Sequence, residues 1–190
     1  MALDNTDVVL PGTGYVYIAT PNTTKPTGSF DPLTPGTAWN SIGHTSLENA
    51  IEFGRDGDDP ETRGSWQNPK LRTTNPDVTY SLALNALQAS KETFELYFGA
   101  GAGSTVNGVF KIPAKPNAQA KALLLVLVDG SQMLPIYFPN VSLLGSDAIS
   151  FDPTALLEFP IKGTILAGND GSLGDIDAFV APGPTTPPAG

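Results

Sequence analysis

Between Ala122 and Val128 the chain carries seven apolar residues in a row, then Asp129-Gly130, then a second apolar stretch from Met133 to Phe138 that holds Leu134, Ile136, Tyr137 and Phe138. A bilayer-crossing helix takes about 20 apolar residues, so the first run is far too short to span a membrane. Asp-Gly between two apolar runs is the residue pair of a tight hairpin turn. The two runs therefore predict adjacent antiparallel strands. Uninterrupted apolarity requires cover on both faces of the first strand, either by helix and sheet within one subunit or by another subunit.

Other segments repeat the strand signal. Val78, Tyr80, Leu82, Leu84 and Ala86 alternate with Thr79, Ser81, Ala83 and Asn85, the period-two pattern of a strand with one buried face. Tyr15 to Ala19 is short, aromatic and β-branched, which suits a strand. Val106 to Ile112, ended by Pro113 and Pro116, is a further strand candidate. Val141 to Leu144 and Ala148 to Phe151 alternate around Gly145-Ser146, and Leu156, Phe159, Ile161, Thr164 and Leu166 suggest a last long strand broken at Pro160. Pro21, Pro26, Pro32 and Pro35 make residues 20–37 a loop. One helix is expected, over residues 90–98. Ser90 supplies an N-cap oxygen, Glu92 and Glu95 complement the helix dipole, Phe94, Tyr97 and Phe98 share a face, and Gly99 ends it.

At 190 residues the chain suits one domain, since a chain of this size buries about 70% of its unfolded surface. No Ser/Gly-rich or charged linker divides its middle. The expected organisation is an N-terminal arm over 1–12, a β domain over 13–168, and a flexible Pro/Gly-rich tail over 169–190, whose end from Pro182 to Gly190 has too little apolar surface to pack.

The segment from Trp39 to Thr74 stands apart. Ile42, Leu47, Ile51 and Phe53 lead into a charged, glycine-punctuated stretch, Gly54 to Gly64, and Trp66 is expected to mark re-entry into apolar surroundings. A long loop within one domain is functional or disordered. The charged tip is therefore expected to reach toward a neighbouring subunit, with Phe53 leading into it, Arg55, Asp56, Asp58, Asp59, Glu61 and Arg63 along it, and Trp39 and Trp66 as its anchors.

Charge and composition exclude several functions. Nineteen acidic residues against 10 basic ones leave a net charge of −9, and the few Lys and Arg are scattered, which opposes binding to a phosphate backbone. The chain has no cysteine, so it has no disulfide framework or thiolate metal site. The N-terminus lacks the basic and apolar regions of a secretion signal, so the chain is expected to be made and kept in cytoplasm.

Catalytic readings fail on spacing. His44 is the sole histidine; Ser46 could share its strand face, but the pair lacks the third, orienting group. Counting from Asp56, an EF-hand loop would need an oxygen ligand at the fifth position and glycine at the sixth, where Pro60 and Glu61 stand; a looser carboxylate cage stays open. The GAGAGS run, Gly99 to Ser104, lacks a P-loop lysine and follows a helix, so it reads as a flexible turn. No cofactor is expected.

Taken together, the Trp39–Thr74 block, the following NPDVTYSLALNALQASKETFELYFGAG and the ALLLVLVDG strand with the later Leu-Phe-Pro strand resemble the major tail tube proteins of long-tailed phages of actinobacteria. The resemblance covers most of residues 10–168. It implies a β-sandwich or half-barrel with one flanking α-helix, a long inter-subunit hairpin loop over residues 54–67 and extended terminal arms. It implies, too, a structural, non-enzymatic virion protein whose hexameric rings stack into the hollow tail tube through which DNA passes without specific binding. Implied partners are the chain itself, the tape measure protein, and the tail terminator and distal tail proteins. The implied location is the virion tail, with assembly in host cytoplasm. Two other classes remain open on the residues alone: a carbohydrate- or receptor-binding β-sandwich using Trp39 and Trp66 as stacking platforms, and an acidic-loop hydrolase.

Overall fold

The computed structural model describes residues 8–101 and 103–184. In chain order the strands begin with β1 (Thr13–Ala19), β2 (Asn40–Ser41), β3 (Glu52–Asp56), β4 (Glu61–Arg63), β5 (Arg72–Thr74) and β6 (Thr79–Ala86). The helix α1 (Lys91–Tyr97) follows, then β7 (Thr105–Val106), β8 (Val109–Phe110), β9 (Gln119–Asp129), β10 (Gln132–Gly145), β11 (Phe159–Leu166) and β12 (Asp175–Ile176). One eight-stranded antiparallel sheet runs in the order β2-β1-β9-β10-β11-β6-β3, with β12 added beside β10. The sheet is open, and the fold is mainly β with a single short helix among the described residues, as expected.

The β9-β10 hairpin forms where expected. Asp129 pairs with Gln132 across a two-residue turn, and Gly130 adopts φ +57°, a conformation glycine reaches without a Cβ clash. From Ala122 to Val126 both faces of β9 are buried within the subunit. On one face Leu123 and Leu125 join Val16, Ile18, Leu82, Leu84 and Leu143 in the main core. On the other, Ala122, Leu124 and Val126 are covered by Trp39, with Phe30 and Val180 at the margin. The proline-rich segment thus works as a lid. Tyr17, 3% exposed, donates its hydroxyl proton to the Pro32 carbonyl at 2.6 Å. Burial pushes its pKa up to about 12, with help from nearby Tyr15 and Asp31.

Helix α1 is seated by its caps and its rings. The Thr93 N–H donates to Ser90 Oγ at 3.2 Å, and Gly99 takes the left-handed φ of +60° that ends the helix. Thr93 and Leu96 are buried, and Phe94 packs against Phe110 and Phe159 at 5.4 and 5.5 Å. This places the helix over one half of the main core face.

Four segments depart from expectation. The single strand over 106–112 is instead the β7-β8 hairpin, folded at Asn107-Gly108, both with positive φ. Val141 to Leu144 continues β10 to Gly145, past a register shift against β9 between Phe138 and Val141, and residues 148–151 form no strand. Pro160 does not break β11: its carbonyl accepts from Ser146 N–H at 3.0 Å just past the end of the β10-β11 ladder, so its missing donor costs no ladder bond. Lastly, residues 169–183 do not run free. Ile176 and Asp175 pair with Ile136 and Tyr137, Val180 bridges Met133, and Gly183 N–H donates to the Phe30 carbonyl at 2.7 Å. Backbone groups along the β10 edge supply these bonds whatever the side chains are, which is why composition alone misplaces the segment. The expected N-terminal arm is described only from Val8, where Leu10 N–H donates to the Asp129 carboxylate and Gly12 N–H to the Val128 carbonyl; residues 1–7 and 185–190 lie outside the described residues.

Candidate assembly surface

The charged segment after Phe53 is one flank of a two-stranded ribbon. Strand β3 pairs with β6 from Glu52↔Ala83 to Asp56↔Thr79. Beyond a gap of four residues on each side, β4 and β5 resume in unbroken register from Glu61↔Thr74 to Arg63↔Arg72. At about 3.3 Å per residue, Glu52 to Arg63 spans roughly 36 Å. Every residue from Arg55 to Asn75 is exposed. Burial therefore does not hold the distal ribbon in place, and an isolated two-stranded ribbon is marginally stable in water.

Its turn lies at residues 64–71. Ser65 and Asn68 exchange backbone hydrogen bonds (2.7 and 3.2 Å), which puts Trp66 and Gln67 at the apex. Gly64 passes so close to the returning strand that a Cβ would stand 2.2 Å from the Pro69 carbonyl oxygen. Trp66 is 101% exposed and Leu71 63%. Residues 63–72 carry three of the chain's ten basic residues, Arg63, Lys70 and Arg72, and no acidic one.

At the base of the ribbon is an apolar groove of about 480 Å³. It occupies the half of the main core face that α1 leaves uncovered. Phe53, Tyr80, Leu127, Ile136, Phe138 and Ile176 are among its walls, and Asp175 stands at its rim. Phe53 is stacked on Tyr80 and Phe138 at 5.6 and 5.8 Å and is still 58% exposed, while Ile176 is 73% exposed. Asp175 is held by Lys25 at 3.1 Å, with Asp177 on the same ammonium.

The residues expected at the loop are distributed along this ribbon. Phe53 borders the groove; Arg55 and Asp56 end β3; Asp58 and Asp59 lie in the gap; Glu61 and Arg63 form an exposed ion pair at 3.0 Å on β4. The two tryptophans do not come together. Trp39 is 8% exposed and packs edge-on to Tyr137 at 6.1 Å on the other face of the sheet. Trp66, far from re-entering apolar surroundings, stands at the apex. Expecting the loop over 54–67 alone missed its return strand, because 68–79 is polar. Gly-Ser before Trp66 and Asn-Pro after it are turn pairs that could have marked the apex. The groove gave no sequence signal, since its far wall comes from residues 173–176.

The chemical alternatives find little to work with. Ser46 donates to Glu158 Oε1 at 2.6 Å rather than to His44, and Asn85 and Asn49 donate to Glu158 Oε2 at 2.5 and 2.7 Å. Among the described residues no group of three or more His, Asp or Glu side chains is placed to hold a metal ion, and none of the helices is long and apolar enough to cross a membrane.

Comparison with known proteins points one way. A family model described as phage tail tube protein matches residues 1–176. The chain is 36% identical over 179 residues to the major tail protein Gp23 of Mycobacterium phage D29, covering 88% of this chain and 89% of the relative. It is 33% identical over 179 residues to the major tail protein Gp23 of Mycobacterium phage L5, with the same coverage.

Proposed function

The chain belongs to the phage tail tube proteins, and from that premise we propose that its copies close hexameric rings that stack into the hollow tube through which phage DNA passes into the host. The membership supports a structural role in the virion tail, and on our reading the chain is not an enzyme. On our reading the ribbon from Glu52 to Ala83 links one ring to the next. The carrying observation is that 21 consecutive residues, Arg55 to Asn75, are exposed on a strand pair in unbroken register. A marginal ribbon of this length gains its stability from a neighbour. The open sheet supports ring closure as well, because its outer strand β3 has a free edge among the described residues, and a neighbour's strand would satisfy that edge. An acidic protein, at −9, lets a phosphate backbone slide past without adhering. Assembly would begin in host cytoplasm, with the tape measure protein inside the tube and terminator and distal tail proteins at its ends.

The test is negative-stain microscopy and size-exclusion chromatography of the purified chain, beside a variant in which residues 57–78 are replaced by Asn-Gly. Asp56 and Thr79 are paired, so a two-residue turn can join them. The intact chain should give six-fold rings or hollow tubes, and the shortened one a folded subunit without tubes. Tubes with unchanged ring spacing from the shortened chain would remove the ribbon from the linkage. An intact chain that stays monomeric at high concentration would count against the tube itself.

A further inference from the structure

We infer that the apex of the ribbon is a knob and the groove its socket, so that Trp66 and Leu71 of one copy seat between Phe53, Leu127, Ile136 and Ile176 of another. The inference rests on the tube reading and names the contact within it.

Three observations converge on a second copy as the occupant. The first is shape. The groove measures about 480 Å³ and is walled by apolar side chains, and pockets of roughly 300–1,000 Å³ hold drug-sized molecules. An indole and a neighbouring leucine fit that range. Trp66 at 101% exposure and Leu71 at 63% are the large apolar residues at the apex.

The second is charge. Arg63, Lys70 and Arg72 surround Trp66 in a stretch without acids, whereas the rest of the chain is strongly acidic. Asp175, 47% exposed, lines the groove and shares the single Lys25 ammonium with Asp177, so the rim keeps a net negative charge. A basic collar around an aromatic anchor suits an apolar socket with an acidic rim, and aromatic anchors in desolvated pockets dominate protein interfaces.

The third is reach. Phe53, a wall of the socket, is on β3, at the foot of the same ribbon that carries Trp66 at its apex. For a chain to fill its own groove the β3-β6 and β4-β5 ladders would have to break and fold back. The knob and socket of one subunit are thus about a ribbon length apart and cannot satisfy each other. Two complementary patches at separate places on one chain make a heterologous contact, which propagates from copy to copy. Propagation along an axis is what a stacked tube requires.

The chain has no cysteine, so single cysteines can be placed freely. Gln67→Cys leaves Trp66 in place at the apex, and Ile176→Cys marks the socket wall. The two variants are mixed, assembled and treated with a bismaleimide. The expected product is a covalent pair of one variant with the other, formed in tubes and absent with Leu156→Cys, an exposed apolar site away from the groove. As a second measurement, Trp66→Ala should raise the concentration needed for assembly about 30-fold, the loss typical of an interface hot spot.

Tubes that form while Gln67→Cys pairs with Leu156→Cys, or with neither site, would overturn the knob and socket and leave the tube reading standing. Pairing of Val8→Cys with Ile176→Cys instead would give the groove to the amino-terminal segment of a neighbour and overturn it equally. A wild-type chain that forms no higher assembly would overturn the tube reading, and the socket with it.

Discussion

Replacing the two tryptophans separately is the sharpest check on how the chain is built. Trp39 is 8% exposed, lies edge-on to Tyr137 at 6.1 Å, and closes the cluster of Tyr17, Ala19, Ala122, Leu124, Val126 and Met133. Trp39→Ala removes an indole from a packed site, and such truncations cost about 3–5 kcal/mol. Of that, about 0.5–1.5 kcal/mol belongs to the aromatic pair itself. For a chain of this size each kcal/mol moves the melting temperature by about 2–4 °C, so the expected fall is roughly 6–20 °C. Trp66 has no such cover, and Trp66→Ala should change stability by no more than about 0.5 kcal/mol, or roughly 1–2 °C in melting temperature. The assay is thermal unfolding followed by far-ultraviolet circular dichroism, at concentrations where the chain is monomeric. Fluorescence adds an internal control, since Trp39→Phe leaves Trp66 alone and should emit as a solvated indole. A Trp39→Ala subunit as stable as wild type, or a Trp66→Ala subunit destabilised by several degrees, would refute the placement of both residues.

Two further changes probe the fold around the site. The Glu158 carboxyl is held below its ordinary value of 4.5 by hydrogen bonds from Ser46, Asn85 and Asn49. Its contribution to stability should therefore be present above about pH 4.5 and fade as acid takes the pH down through the lowered folded-state value, so that wild type and Glu158→Gln differ in urea unfolding at pH 7 and converge in acid. At Gly99, with φ +60°, a Cβ would stand 2.7 Å from the backbone nitrogen and oxygen of Asn117; Gly99→Ala should cost about 2–4 kcal/mol by strain and overpacking together, read as a lower midpoint in the same titration.

What the sequence made legible follows from whether the signal is local. Ala122 to Phe138 announces a covered hairpin because apolar run, turn pair and apolar run are adjacent. Ser90 and Gly99 announce the limits of α1 because capping acts within a turn of the chain. The segment reads from sequence as a reach between subunits with its tip at Gly54 to Gly64, whereas the structure puts the apex at Trp66 and Gln67. Asp56 to Glu61 looks like a tip because acidic and glycine residues favour turns, yet those residues are on the flank of a strand pair whose register is set by β6, more than twenty residues further on. The tryptophans show the same limit. Trp39 and Trp66 flank one segment of sequence, but one belongs to the lid over β9 and the other to the far end of the ribbon, and no periodicity reports that separation.

The placement of the carboxyl-terminal segment carries the argument about assembly one step further. Strand β10 is longer than its partner β11, which pairs only with Asn140 to Gly145. Residues 133–137 of the same edge are taken up by Ile176, Asp175 and Val180. A long edge of this kind invites uncontrolled pairing, and here the chain closes it with its own return. The same return builds the groove, since Leu173 and Ile176 form its far wall and Asp175 its acidic rim. Closing one edge therefore creates the socket, while of the two outer strands, β2 and β3, it is β3 that continues into the ribbon. A subunit arranged this way leaves the ribbon apex and the groove uncovered by its own chain, and the knob-and-socket contact we infer would cover each with the other on a second copy.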